Sequence, residues 1–373
     1  MRSWKLKATS GFAPEKRCNV AAGFGPSTAR RQAGAGYLLD IASAACSSLL
    51  HLCLGMAAAD LFSPEYLVKP HRKLILPLLL ALTGAPAIAA APATLPAITD
   101  ADPAVWVVKD KDTTIYLFGT VHALDGRQAW FNDEVKAAFD GSSELVLEVL
   151  TPEDPAAMQP LLAKYAYNAS GPTLTSKLSP KGRAALAAML KTYGMGPTAL
   201  DRFKPFFAAL TLSSLQFQKM GLKADSGAEA VLRQAAVAGH KQVGALETLD
   251  YQMSLFDALA EPEQVALLEQ TLAQGDGEGP QDITALVSAW SHGDADRVAA
   301  ILRKTDTDSP ALYKLLLVGR NRNWAQWIQQ RLARPGTAFV AVGAGHLAGP
   351  DSVQRVLKAR GVRSQRVAHI ERP

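Results

Sequence analysis

Cysteine is nearly absent from this chain of 373 residues. The three cysteines, Cys18, Cys46 and Cys53, all lie before residue 60. The rest of the chain therefore has no thiol that could form a disulfide, bind a metal or attack a substrate. With 48% hydrophobic and 20% charged residues, the composition also excludes a disordered, collagen-like or coiled-coil protein.

Most of the chain also lacks an excess of positive charge, although the whole sequence has a net charge of +5. Ten of the 39 Lys and Arg residues, but only four of the 34 acidic residues, lie before residue 90. Residues 90–373 therefore carry 29 basic and 30 acidic groups. A body this close to neutral gives no electrostatic reason to bind nucleic acid, and we expect no such partner.

Several common catalytic motifs are missing as well. The sequence contains no HExxH helix of zinc proteases, no G-x-S-x-G of serine hydrolases and no Walker A loop. It also has no G-x-G-x-x-G followed by a distal acid, the fingerprint of dinucleotide binding. The usual hydrolase and nucleotide-binding functions therefore have no support from motifs.

A secretion signal is present near residue 70. A basic stretch over 69–73 precedes an apolar run over 74–82, and small residues around Ala89 form a cleavage site. The apolar run is too short for a permanent membrane anchor. We predict a signal peptide over 68–89, a Pro/Ala-rich tether over 90–103 and a periplasmic or secreted protein. Contact with the membrane is expected only through the signal peptide.

Because a signal peptide belongs at the N-terminus, residues 1–67 are expected to be a non-native upstream extension or a disordered segment. On this interpretation the natural start is near Val68, from a GTG codon. The alternative is a genuine extension with a membrane segment over 41–59. That stretch includes His51 and several serines, which are unfavourable in a bilayer.

Strand patterns occur at both ends of the remaining chain, and helical patterns fill the middle. Strands are predicted at residues 104–109, 113–119, 144–150, 241–246, 337–342 and 363–370. Most of 153–335 has helical periodicity. We therefore predict an α/β (α+β) domain over 104–373, with a central mixed sheet and a large helical insertion over about 153–335.

Two strands end in the same short motif. Gly119–His122 and Gly343–His346 each place a histidine three residues after the glycine that ends an apolar strand. Parallel strands of an open α/β sheet place such residues in one crevice. An imidazole there can bind a metal or act as a general base, so we expect the two rings within about 8 Å, with coordination bonds of about 2.0–2.2 Å. A structural histidine is the alternative.

Glu148 lies inside the apolar strand pattern ELVLEV, where Glu144 and Val146 share its face. A buried carboxylate is costly unless it has a partner. Glu148 is therefore predicted to bind a metal, a histidine or an arginine, or to form a purely structural ion pair.

Four further residues are predicted to support the site or contact the substrate. Glu229 lies in the first turn of a helix, where it could instead favour the helix dipole. Glu247 ends a short strand and could belong to a helix cap. Arg320, beside Asn321, could clamp Glu148 or a substrate carboxylate in a bidentate pair, or be an ordinary solvated helix residue.

The order and spacing of five segments resemble the TraB/GumN family, which is related to the Tiki proteases and more distantly to erythromycin esterases and ChaN-like proteins. The segments are YLFGTVHALD (116–125), ELVLEV (144–149), GAEAVLRQAAVAGHKQVGALETLDYQ (227–252), RNRNWAQWI (320–328) and VGAGHLAGPDSVQRVLKARGV (342–362).

This resemblance implies a metal-dependent hydrolase, such as a peptidase, with catalytic His122, Glu148 and His346. The same three residues would bind a divalent Mn²⁺, Co²⁺ or Zn²⁺ ion, which activates a bound water. One alternative is a metal-independent, esterase-like hydrolase with a histidine general base. Another is a non-catalytic periplasmic protein that binds metal or haem. The substrate is expected to be a peptide or a compound related to polysaccharides, and the oligomeric state stays open.

Overall fold

The computed structural model of the protein describes residues 97–152, 154–275, 279–306 and 310–370. Its centre is a six-stranded mixed sheet, and a two-stranded parallel sheet lies beside it. The predicted α/β (α+β) class with a central mixed sheet is therefore confirmed.

In chain order the strands are β1 Thr99–Asp100, β2 Val105–Lys109, β3 Thr113–Thr120, β4 Gln128–Ala129, β5 Glu144–Val149, β6 Gln242–Glu247, β7 Gly336–Gly343 and β8 Ser364–Arg366. The large sheet has the order β6-β5-β7-β3-β2-β8, and β1 pairs with β4. The neighbours from β6 to β3 are parallel, while β2 is antiparallel to both β3 and β8. Four parallel strands therefore end at one edge of the sheet.

Helices cover both faces of this sheet. Those among the described residues are α1 Asp133–Asp140, α2 Gln159–Tyr165, α3 Leu174–Lys177, α4 Pro180–Thr192, α5 Pro205–Lys219, α6 Ala228–Ala238, α7 Leu249–Asp257, α8 Glu261–Gln274, α9 Gly279–Ser291, α10 Ala295–Asp306, α11 Pro310–Tyr313, α12 Arg320–Leu332 and α13 Val353–Ala359. Short 3₁₀ turns occupy Pro155–Met158, Ala224–Ser226 and Ala344–Leu347, and a π-helical segment occupies Lys314–Gly319.

The mostly helical insertion over 153–335 includes the strand predicted at 241–246. This strand is β6, an edge strand of the sheet, which pairs in parallel with β5. At the end of the region the π-helical segment separates α11 from α12.

Several helix starts follow directly from local sequence. The Ser179 hydroxyl accepts the Gly182 N–H at 3.0 Å, and Pro180 occupies the first helical position of α4. Thr248 caps α7 in the same way by accepting the Tyr251 N–H.

Alternation along the strands divides the core between the two faces of the sheet. On β7, Phe339 packs on one face, where Phe118 also lies. Its neighbour Val340 packs on the other face with Trp324 and Ile328 of α12. Because successive strand residues point to opposite faces, a short apolar strand is sufficient to anchor both helical layers.

The insertion has a second apolar core of its own. Phe206 of α5 stacks on Phe256 of α7, with ring centroids 5.7 Å apart, and both rings are fully buried. This core also includes residues of α4 and α8. It holds the helical region together beside the sheet and fixes the position of α7, which begins just after β6.

The predicted signal peptide over 68–89 and the segment 1–67 lie outside the described residues. Of the predicted tether, Thr99–Asp100 forms β1, and Ala101 is buried. Within the described part of the chain, no helix combines the length and apolar character required to cross a bilayer.

Candidate functional site

The candidate site lies where the four parallel strands end. The β3 strand leads into His122, β7 leads into His346, Glu148 lies near the end of β5, and Glu247 is the last residue of β6. All four side chains are almost completely removed from solvent. The parallel order of the strands therefore brings together residues that are far apart in the sequence.

The two Gly-x-x-His motifs touch each other. A Cβ atom placed on Gly119 would lie 3.1 Å from the Cα atom of Ala344, the residue that follows the second motif's glycine. The carbonyl oxygen of Gly119 accepts the indole N–H of Trp290 at 2.7 Å. The first motif therefore requires glycine here because the second motif packs directly against its backbone.

Arg320 is the centre of the site and is fully buried. Its Nη2 atom donates to Glu148 Oε2 at 2.6 Å, and its Nε atom donates to Glu247 Oε2 at 2.9 Å. Arg320 is therefore a buried ion-pair residue and not a solvated helix residue, but its contact with Glu148 is a single bond, and the two-atom contact is made with Glu247. One guanidinium thus joins α12 to two strands through charge-assisted hydrogen bonds.

Glu148 is held as a buried anion. Its Oε1 atom accepts the Gly343 N–H at 2.6 Å. Burial raises the pKa of Glu148, but the positive charge of Arg320 and the Gly343 N–H outweigh burial and lower the pKa to about 2. Glu148 therefore carries its charge at all physiological pH values.

Glu247 is the second carboxylate of the Arg320 clamp. The indole N–H of Trp324 donates to its Oε1 atom at 2.8 Å, and Gln252 lies within hydrogen-bond distance of both Glu247 and Glu148. Burial and the neighbouring Glu148 charge raise the pKa of Glu247, whereas Arg320 opposes them. Two carboxylates thus share one guanidinium in a buried space.

The tautomer of His346 follows from its neighbours. Its Nε2 atom lies 3.1 Å from Arg320 Nη1, and because a guanidinium only donates, Nε2 accepts. The proton is therefore on Nδ1, which donates to Asn321 Oδ1 at 2.6 Å. Asn321 is itself oriented by donating to the Asp351 carbonyl oxygen at 2.7 Å. Burial lowers the pKa of His346 to about 3, so this ring is neutral.

His122 is paired with a carboxylate instead of an amide. Its Nδ1 atom lies 2.5 Å from Glu229 Oε1, which also accepts the Thr120 hydroxyl at 2.5 Å. Because a carboxylate only accepts, a ring proton on Nδ1 would face Glu229 and would leave the lone pair on Nε2. The Glu229 side chain is 17% exposed, the most exposed of the predicted site residues, so this pair lies nearest to solvent.

Gly227 makes the His122–Glu229 pair possible. The N–H of Ala228, the first residue of α6, donates to the Val121 carbonyl oxygen at 3.0 Å. A Cβ atom on Gly227 would overlap the carbonyl oxygen of His122. The start of α6 can therefore approach the β3 loop only with glycine here, and this approach delivers Glu229 to the imidazole.

The predicted metal ligands do not form a compact ligand set as they lie. Among the described residues, Asp100, Asp102 and Asp133 have ligand atoms within 4.8 Å of one another, whereas the ligand atoms of His122, Glu148 and His346 are not so close. Exposed acidic groups such as the aspartates commonly have this spacing without an ion. Arg320 also holds Glu148 and the Nε2 atom of His346.

All seven predicted site residues thus lie at this edge of the sheet. Five form one network around Arg320, and His122 with Glu229 forms a second pair. The catalytic roles and the 8 Å separation of the rings stay predictions. Sequence reasoning missed Thr120, Gln252, Gly227 and Trp324 as parts of the site. Thr120 lies inside the first motif and could have been found there.

A family model described as the TraB/PrgY/gumN family matches residues 104–366. This range includes every residue of the candidate site.

Two relatives cover most of this match. An uncharacterized protein of Treponema pallidum (strain Nichols) is 24% identical over 274 residues, which is 68% of this chain and 80% of the relative. The uncharacterized protein YbaP of Escherichia coli (strain K12) is 26% identical over 258 residues, 69% of this chain and 92% of the relative. No solved structure matches significantly.

Proposed function

The chain belongs to the TraB/PrgY/gumN family, and we propose that it is a hydrolase with His122 as its general base. The observation that carries this proposal is the 2.5 Å contact between His122 Nδ1 and Glu229 Oε1. A carboxylate beside Nδ1 favours the tautomer in which Nε2 carries the basic lone pair, and it stabilises the imidazolium that forms when Nε2 takes a proton.

The two histidines have different roles in this proposal. His346 is a poor base because burial lowers its pKa to about 3 and its Nε2 atom already accepts from Arg320. His122 instead removes a proton from water while the water oxygen attacks a carbonyl carbon of the substrate. The proton then passes to the leaving nitrogen or oxygen as its bond to that carbon breaks. Such general-base assistance accelerates reactions by about 10²- to 10⁴-fold.

The Arg320 network is assigned a positioning role. It fixes Glu148 and, through Asn321, the ring of His346, at the edge where the substrate carbonyl would lie. Glu148 adds negative charge near His122, which favours the imidazolium once it has formed. We propose that the substrate is a peptide, and that the signal segment over 68–89 delivers the enzyme to the periplasm or the medium.

A metal-dependent form is the second candidate, because the carboxylates of Glu148, Glu247 and Glu229 outnumber the single guanidinium of Arg320 in the buried site. The residues as they lie do not fit an ion, since Arg320 holds Glu148 and His346. His122, Glu148 and His346 could hold a divalent cation only if Arg320 released them. An ion held there would polarise the scissile carbonyl and activate water.

The test uses the secreted protein purified from cells that express the full chain. Cleavage of a peptide library and of 4-nitrophenyl acetate is measured with and without EDTA, and the bound metal is quantified. We expect activity that resists EDTA and is lost in His122→Ala. Activity abolished by EDTA and restored by Mn²⁺, Co²⁺ or Zn²⁺ would establish the metal-dependent form instead.

A third result would overturn both forms of the proposal. If no substrate is cleaved but added haem gives a Soret band that the His122→Ala/His346→Ala variant lacks, the protein is a binding protein. His240→Ala serves as the control for both assays, because His240 is an exposed residue between α6 and β6.

A further inference from the structure

The outer edge of β6 is free of backbone pairing within the described part of the chain. The Gln242 N–H donates to the Ser143 carbonyl oxygen, so the backbone groups of Gln242 point toward β5. Because these groups alternate along a strand, those of Val243, Ala245 and Glu247 point away from the sheet. With the described residues, these outward groups make no backbone hydrogen bond.

The β6 strand lacks the residues that usually protect a sheet edge. Exposed edge strands are normally protected by Lys, Pro or a covering element. The β6 sequence QVGALE contains no Lys, Arg or Pro, and its residues from Val243 to Leu246 are half-buried. Nearby Lys241 is directed away, because its Nζ atom donates to the carbonyl oxygens of Asp140 and Ser142.

The edge also offers room for side chains. A Cβ atom on Gly244 would meet no other atom within 4 Å, so the strand surface at this position is open. Two positions further along, Leu246 is half-buried, as is Trp327 of α12, and both pack against the same apolar cluster. An extended chain beside β6 would therefore find hydrogen-bond partners together with an apolar surface.

The strand leads directly into the candidate site. Its last residue, Glu247, is held by Arg320, which also holds Glu148. Neighbouring strands lie about 4.8 Å apart, so a strand added outside β6 would lie about 19 Å from β3, which leads into His122. About six extended residues span that distance. A chain paired with β6 could therefore continue across the sheet edge to the His122 side of the site.

We propose that β6 is a substrate-docking strand, which binds an extended polypeptide segment as an additional strand of the sheet. Backbone hydrogen bonds to Val243, Ala245 and Glu247 would supply affinity with little dependence on sequence, the known mode of β-strand addition. The proposal deepens the proposed function by assigning unfolded or extended polypeptide as the substrate class. Hydrolysis of the docked polypeptide therefore rests on the proposed function, whereas its binding to β6 does not.

The binding test uses the inactive His122→Ala protein and fluorescein-labelled, reduced and carboxymethylated κ-casein as the probe. Ala245→Pro removes an outward N–H while leaving the ladder to β5 intact, because proline is tolerated where the N–H faces away from the sheet. We expect at least 10-fold weaker binding, measured by fluorescence anisotropy. The matched control, Ala245→Gly, keeps the N–H and should bind within 2-fold of the parent.

A second variant keeps the test decisive if Ala245→Pro fails to fold. Gly244→Lys places a charged chain in the open space beside the edge, where it should obstruct strand addition without disturbing the core. It should also weaken casein binding at least 10-fold with an unchanged melting temperature. Unchanged binding by a folded edge variant would overturn the proposal.

Activity of the enzyme with an intact His122 separates docking from catalysis. Ala245→Pro should lower kcat/KM for casein at least 10-fold but leave kcat/KM for 4-nitrophenyl acetate within 2-fold. Equal losses on both substrates would overturn the docking role. Edge-dependent binding without any hydrolysis would reject the proposed function and retain the docking strand.

A second copy of this chain is the competing occupant. Light scattering after size-exclusion chromatography measures this directly. A dimer that Ala245→Pro converts to a monomer, without a change in casein binding, would assign the edge to self-association and overturn the proposal.

Discussion

Arg320 donates to Glu148 at 2.6 Å, although 172 residues separate the two in the sequence. This bond joins the first residue of α12 to the end of β5. The same guanidinium also donates to Glu247, the last residue of β6. The buried charges therefore connect elements that the chain forms far apart. Such a frame can hold His346 in one orientation without help from a ligand.

Arg320→Met should destabilise the protein strongly, because it leaves Glu148 and Glu247 buried without their cation. Breaking a buried ion pair from one side typically costs about 3–5 kcal/mol. Urea unfolding at pH 7.5 measures the change in the free energy of unfolding. Arg322→Met is the matched control, since Arg322 lies on the same helix but is exposed, and its loss should cost less than about 0.5 kcal/mol. Equal losses for the two variants would contradict a buried clamp.

Glu229→Gln should lower kcat without unfolding the protein. The amide no longer stabilises a positive imidazolium, and it can hold His122 in the wrong tautomer. Replacing the carboxylate of a Ser-His-Asp triad by an amide costs about 10⁴-fold, so we expect a fall of about 10²- to 10⁴-fold. Steady-state kinetics on the cleaved peptide, with the melting temperature as a check on folding, measures this. An unchanged kcat would remove His122 as the base.

Gly227→Ala should separate α6 from the loop that carries His122. The added methyl group overlaps the His122 carbonyl oxygen, a backbone atom that cannot move independently. We expect a loss of about 1–3 kcal/mol in stability, as for overpacking, together with a loss of activity. Gly196→Ala is the control, because a methyl group there meets nothing within 4 Å. If both variants behave alike in urea unfolding, the close approach is unimportant.

Stability should decrease as the pH falls below about 6.5. The pKa of His346 is 6.5 for the unfolded chain and about 3 in the fold, so the unfolded state binds the proton first. The pKa of Glu148 falls from 4.5 to about 2, which adds a further loss between those values. In both cases the unfolded state binds more protons, so the free energy of unfolding rises with pH.

Urea unfolding between pH 8 and pH 4 tests this dependence. His346→Gln removes one of the two titrating groups and should flatten the slope between pH 6.5 and pH 4.5. A wild-type stability that increases on acidification in this range would show that His346 is not buried as a neutral ring.

Local patterns in the sequence were sufficient for most of the elements. The Pro180 helix start, the ELVLEV strand and the two strand–Gly–x–x–His motifs each depend on neighbouring residues, and each is found within about two residues of its predicted place. The apolar run TAFVAV predicts β7, because a strand that is buried on both faces has a continuous apolar sequence instead of an alternating one. In the structure, residues 338–343 of this strand are buried. The π-helical segment before Arg320 had no comparable sequence signal.

Which side chains pair with each other was harder to predict from the sequence than which strand or helix each residue belongs to. Glu148 required a cation or a histidine, and the sequence allowed a metal, His122, His346 or Arg320 to fill that need. Only the packing of α12 over the sheet selected Arg320, because a helix can present its side chains to any strand that it crosses. The same applies to Gly227, whose requirement arises from the backbone of a loop about a hundred residues away.

The sequence by itself determined which residues carry charge and where strands turn, since propensity, periodicity and capping act over a few neighbours. It therefore determined the two histidine motifs, the buried acid and the edge of the sheet at which they meet. Tertiary structure alone decided the pairing of Glu229 with His122 and of Asn321 with His346, and hence the tautomer of the His346 ring. It could do so because hydrogen bonds between side chains depend on distances of a few ångströms, which strand order and helix packing set only after the whole chain has folded.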